Sequence, residues 1–231
     1  MTSKPDTSMV IAVELPASCD KHCDFCRFDK HGAGNPDAVK AAVKKILDEN
    51  GQRVKQIYVV SNGEPGNAGQ LFTDIIGEGT TRGIPVVVAC ADQVSVVPVV
   101  PKLAHVEVSC TLFTIASSRK AIHKALGLDI PVIVTLIDDG RTKIDKRLTD
   151  LRKEFDDKLA GCLIRALQPE GKSLKSFGMT SWKLFNPEIP IGIFPVPAYQ
   201  ELRDFPGEHK TVCINSHGQQ VDFLGGRVEE K

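Results

Sequence analysis

The sequence predicts an α/β fold built on a parallel sheet, and three observations carry that expectation. Apolar runs of strand length alternate with segments that bear a helical apolar stripe. Proline, glycine and capping residues stand at the boundaries between them. Six such strands precede residue 168, and beyond it the alternation stops. Alternating strands and helices imply parallel neighbours joined by right-handed crossovers. The 231 residues fall short of the ~250 typical of a closed eight-fold barrel, so a partial barrel or an open α/β sheet is expected.

The elements follow in order. Met9 to Leu15 is a buried strand ending at Pro16, and a cysteine-rich loop comes next. Asn35 caps a helix with Pro36 at its first position, and Val39, Ala42, Val43, Ile46 and Leu47 line one face up to Gly51. Val54 to Val60 is the second strand, closed by Ser61-Asn62-Gly63-Glu64-Pro65-Gly66. Leu71, Phe72, Ile75 and Ile76 mark a second helix that Gly83 stops. Strands are expected over Ile84–Ala91 and His105–Thr111, then a helix opened by Ser117 and capped by Gly127. A fifth strand spans Pro131–Ile137. Thr142 and Asp145 suggest a capping box for a helix carrying Ile144, Leu148, Leu151 and Phe155. Cys162 to Leu167 is the sixth strand.

This divides the chain into a core over residues 1–168 and a C-terminal extension over 169–231. Prolines 187, 190, 195, 197 and 206 break up the extension. It ends in a hairpin in which Val212–Asn215 and Gln220–Leu224 flank Ser216-His217-Gly218. The hairpin is expected to lie over the open side of the sheet as a lid.

Composition narrows the partners. Lys plus Arg and Asp plus Glu both number 29, so the formal net charge is zero. Phosphate neutralisation drives most nucleic-acid affinity, and this balance argues against nucleic acid. The first residues lack the apolar core of a signal peptide. No run approaches the ~20 apolar residues that span a bilayer. A cytoplasmic protein with no membrane partner is expected, and its 7 cysteines are expected to be reduced.

Three of those cysteines fall together, as Cys19-x3-Cys23-x2-Cys26. Three thiolates suit three irons of a cubane, leaving the fourth iron open to a cofactor or substrate. The loop leaves the C-terminal end of the first strand, where α/β sheets place their sites. Zinc is the alternative: Cys23, Cys26 and His31 imitate a zinc-knuckle opening that Cys19 would complete. Chance clustering of reduced cysteines is the third reading. Cys90 and Cys110 close two later strands, where packing is the simpler role. No acid–base dyad is expected.

The C-x3-C-x-aromatic-C pattern, with Phe25 before Cys26, resembles the hallmark of the radical S-adenosylmethionine superfamily. The leader Val13-Glu14-Leu15-Pro16 is similar to that of the molybdenum-cofactor and peptide-maturing branches. Gly63-Glu64-Pro65 is similar to the family's GGEP segment, with Asn62 in place of the first glycine. The resemblance implies a partial (β/α)6 TIM-like barrel of parallel strands. It implies one [4Fe–4S] cluster held by Cys19, Cys23 and Cys26, with S-adenosyl-L-methionine on its open iron.

The cofactor contacts so implied are Phe25 near adenine, and Gly63, Glu64 and Pro65 at the methionyl amino group. Ser109, Thr135 and Gln168, at or near the ends of later strands, complete the set. The implied activity is reductive cleavage of S-adenosylmethionine to a 5′-deoxyadenosyl radical that abstracts hydrogen from a small molecule or peptide. An external donor such as flavodoxin or ferredoxin would supply the electron. A glycyl-radical-enzyme activase is the alternative within the family, and a zinc-stabilised or electron-transfer binding module the alternative outside it.

Overall fold

The structure is a computed structural model that describes residues 8–20, 32–90, 103–110, 115–138, 143–155, 158–168, 176–192 and 210–222. Its strands are β1 (Met9–Leu15), β2 (Val54–Ser61), β3 (Val86–Cys90), β4 (Leu103–Cys110), β5 (Val132–Asp138), β6 (Gly161–Gln168), β7 (Ser176–Leu184), β8 (Lys210–Ile214) and β9 (Gln220–Val221). Its helices are α1 (Pro36–Asn50), α2 (Gln70–Thr81), α3 (Ile115–Leu126) and α4 (Ile144–Phe155). The strands form one sheet in the order β7-β6-β5-β4-β3-β2-β1-β8-β9. β1 to β6 are parallel throughout, as expected.

Helix boundaries follow local chemistry. Asn35 is extended, and its Oδ1 accepts from Ala38 N at 3.0 Å, with Pro36 next and Asp37 in the first turn. α2 ends at Thr81 with Arg82 as its cap, and Gly83 follows with a φ of 70° that favours glycine. α3 departs from expectation at its end. Gly127 donates to His123 O but does not take the left-handed conformation, which falls instead to Asp129 at φ 56°. Asp tolerates that region better than most residues, because its short polar side chain bonds locally.

Strand alternation sorts the side chains onto two faces. Ile11, Val13, Leu15, Ile57, Val59, Val86, Val88, Val106, Val108 and Val134 pack with Val43, Phe72, Ile75, Ile122 and Leu151 of the helices in one apolar core. Val10, Ala12, Tyr58, Val60, Val87 and Cys213 cluster on the other face. That face also takes the buried polar residues Glu14, His105, Glu107 and Thr135, which alternate with core positions. A Lys40–Asp74 pair at 2.6 Å ties α1 to α2 on the surface.

The C-terminal extension departs from expectation twice. Ser176–Leu184, where no strand is expected, pairs antiparallel with β6. The hairpin does not lie over the sheet: β8 runs parallel to β1, with Ile11 opposite Val212 and Ala12 opposite Cys213, and β9 pairs antiparallel with β8. Val212 and Ile214 join the helix-side core while Cys213 joins the opposite face. The expected alternation is therefore present, but it fits a wall strand and not a lid.

Candidate functional site

The site is built where β1 and β2 end. Leu15 closes β1, and the backbone of Asn62 donates to its carbonyl at 3.0 Å. Glu64 N donates to Ser18 O at 3.1 Å, and Asn67 Nδ2 donates to the same oxygen at 3.0 Å. Gly63 lies between these bonds, and any Cβ there would run into the carbonyl oxygens of Ala17 and Ser18. The missing side chain is what lets the end of β2 meet the residues that lead into Cys19. Glu64 is 2% exposed, and Pro65, also buried, opens a short 3-10 turn through Ala68.

Asn62, 3% exposed, adds a second set of contacts. Its Oδ1 accepts from Ala17 N at 2.9 Å and from Gly32 N at 3.2 Å, while its Nδ2 donates to Ala33 O at 2.6 Å. The far side of the same neck is held by the turn after β8. Asn35 N donates to Ser216 O at 2.8 Å, and Ser216 N donates to Glu14 Oε1 at 3.4 Å. Gly34 passes so close to Ser216 O and Pro16 that no side chain would fit.

Cys19 is half-buried and in no disulfide. Cys23, Cys26 and Phe25 lie outside the described residues. Ser109 sits opposite Thr135 in the β4–β5 register, though the Ser109 side chain lies outside the described set. Thr135 is 3% exposed and stands in the middle of β5, three residues before the Asp138 end. Gln168 is the last residue of β6 and pairs with Ser176, its side chain also outside the described set. The structure thus brings Gly63, Glu64 and Pro65 to the start of the cysteine loop. Ser109, Thr135 and Gln168 belong to strands farther across the sheet.

One buried group was not expected from the sequence. Tyr58 Oη donates to Glu107 Oε2 at 2.7 Å, and His105 Nε2 lies 3.2 Å from Glu107 Oε1. Gly192 N donates to His105 Nδ1 at 2.8 Å. A backbone N–H only donates, so Nδ1 is the acceptor and Nε2 carries the proton given to Glu107. The carboxyl group is therefore satisfied on both oxygens by donors from β2 and β4. The signal in the sequence is faint: two polar residues at i and i+2 in an otherwise apolar strand.

Three further cysteines pack, while the Cys110 side chain lies outside the described set. Cys90 and Cys162 lie in the helix-side core. Burial, with the Asp222 carboxylate as a smaller cause, pushes the Cys213 thiol up to about 12. The thiolate is the reactive form, so native protein at pH 8 is expected to leave Cys213 unmodified by iodoacetamide, with labelling only after unfolding, as read by peptide mass spectrometry. The same shift sets a sign for stability. Below its ordinary value of 9.0 the thiol is neutral in both states; between 9.0 and about 12 only the unfolded chain ionises, so stability falls as pH rises through that window.

No family model and no curated protein sequence matches the chain. Solved structures do. SuiB of Streptococcus suis, bound to its precursor peptide SuiA, superimposes with a TM-score of 0.65 at 10% identity, over 94% of this chain and 59% of SuiB. SuiB bound to S-adenosylmethionine gives 0.62 at 10% identity, over 94% and 60%. The protein anSMEcpe with bound AdoMet gives 0.55 at 14% identity, over 73% of this chain and 54% of its own. The chain thus spans between 54% and 60% of the length of these proteins. The likeness is one of fold: an unclosed, mostly parallel α/β sheet of the kind expected from the sequence.

Proposed function

We propose that this chain is a radical S-adenosylmethionine enzyme that acts on a peptide. The observation that carries the reading is the contact between two motifs. The segment leading into Cys19 emerges from β1 and is bonded directly to Gly63–Glu64 at the end of β2. Cys19, Cys23 and Cys26 would hold a [4Fe–4S] cluster, and Gly63, Glu64 and Pro65 would meet the methionyl end of S-adenosyl-L-methionine. The donor type fits such a group: Cys19, a thiol outside any disulfide, directly follows Ser18, whose carbonyl oxygen accepts from Glu64 N and lies against Gly63. When bound, this pair supplies one-electron cleavage of S-adenosylmethionine to methionine and a hydrogen-abstracting 5′-deoxyadenosyl radical.

The protein's own part is to hold, orient and exclude water. Ser109 is assigned to the cofactor's ribose or carboxylate, Thr135, its register partner in β5, to a further cofactor contact, and Gln168 and Phe25 to the adenine. The Tyr58–Glu107–His105 group fixes β2 against β4 on the face away from the helices. A peptide substrate is favoured over a free small molecule because SuiB is seen with a precursor peptide and anSMEcpe with the Cp18Cys peptide. The electron would come from an external flavodoxin or ferredoxin. No helix among the described residues is long and apolar enough to cross a membrane, and we place the protein in the cytoplasm.

The reading is tested by incubating anaerobically reconstituted, reduced protein with S-adenosylmethionine and measuring products by chromatography. Formation of 5′-deoxyadenosine and methionine is expected, with none from Cys19→Ala. An iron-loaded protein that binds the cofactor and never cleaves it would contradict the reading.

A further inference from the structure

Asn62 occupies the one position where the Gly-Glu-Pro segment departs from the pattern it resembles, and its side chain bonds the chain on both sides of the cysteine loop. Ala17 lies just before Cys19, while Gly32 and Ala33 lie beyond Cys26. A single buried carboxamide thus accepts from one neck strand and both accepts from and donates to the other. The orientation of the amide is set by its partners. Two backbone N–H groups require an oxygen opposite them, and the Ala33 carbonyl requires a donor. The anchor of that carboxamide is itself fixed, because Asn62 N extends the β1–β2 ladder onto Leu15 O.

We infer that Asn62 is a positioning residue for the cysteine loop: it fixes the separation of the loop's two described ends, Ala17 on one side and Gly32–Ala33 on the other. The inference rests on the proposed cluster for its purpose but not for its geometry. A loop tied at one end only would leave the second and third thiols to search for the metal. A loop tied at both ends by one rigid amide meets the metal with its span already set. Alanine or glycine removes all three bonds. Aspartate keeps both acceptor bonds but turns a second carboxylate oxygen towards the Ala33 carbonyl, where only a donor is satisfied.

The test compares wild type, Asn62→Ala, Asn62→Gly and Asn62→Asp in two assays. Metal-free protein is digested briefly with trypsin, and cutting after Lys21, Arg27 and Lys30 is followed by mass spectrometry. Reconstituted protein is exposed to an iron chelator, and loss of the cluster absorbance is timed. Both rates are expected to rise about tenfold in the Ala and Gly variants, as local opening becomes easier, with Asp in between. Cutting elsewhere and the far-UV circular dichroism should stay at wild-type values. Wild-type rates in Asn62→Ala would overturn the inference, and so would faster cutting spread over the whole chain with loss of dichroism, which would mean a general structural role. If the wild type takes up no iron, the proposed function falls, and the metal-free digestion still decides the role of Asn62.

Discussion

A chain ended after residue 209 is expected to lose its fold, because β8 is a wall of the sheet. Its residues pair with β1 from Met9↔Lys210 to Val13↔Ile214, and β1 is the strand from which the cysteine loop departs. Val212 and Ile214 are buried to 5% and 1% exposure in the core shared with the helices. Burying one such side chain is worth about 1.5–3 kcal/mol, so the pair approaches the ~5–15 kcal/mol that separates folded from unfolded domains. Removal also strips β1 of its ladder on one side and takes Ser216 from Asn35 and Glu14. Insoluble protein, or soluble protein without a cooperative thermal transition, is the expected outcome. A shortened chain that melts within a few degrees of the full one would show that β8 is dispensable.

Gly63→Ala should weaken both cluster assembly and cofactor binding tenfold or more, and Gly63→Val should do no better. A Cβ at this position meets backbone carbonyl oxygens of Ala17 and Ser18, not the yielding end of a side chain. The strand end and the loop start must then separate, which breaks the Glu64 N to Ser18 O bond as well. Forcing atoms into a packed site commonly costs about 1–3 kcal/mol, enough to reduce occupancy of a marginal loop geometry tenfold or more. Iron content after reconstitution and S-adenosylmethionine affinity by equilibrium dialysis are the measurements. Wild-type values for both in Gly63→Ala would show that the close approach has no role in the site.

Much of this was legible in the residues, for a physical reason. The first six strands and four helices carry period-2 or period-3.6 apolar patterns and strong boundary residues, Asn35 with Pro36 and Gly83 among them. Periodicity says that a segment is a strand but not what it pairs with. Val212, Cys213 and Ile214 read as a strand, while the partnership with β1, some two hundred residues away, is a tertiary fact. β7 was hidden for another reason: Ser176, Gly178, Thr180 and Ser181 dilute its apolar alternation.

The site divides the same way. Cys19 and the Gly63–Glu64–Pro65 segment were evident from spacing and type, and the structure brings the segment against the residues before Cys19. The Asn62 carboxamide finds Ala33 across 29 positions and Tyr58 finds Glu107 across 49, pairings that no local pattern announces, though His105 and Glu107 leave their faint mark at i and i+2.

We propose one cubane cluster on Cys19, Cys23 and Cys26, and metal analysis decides it. Anaerobically reconstituted protein should contain about four irons per chain and an equal amount of sulfide, with a brown chromophore. Alanine at any one of the three cysteines should remove it. One equivalent of zinc per chain with no chromophore would contradict the account.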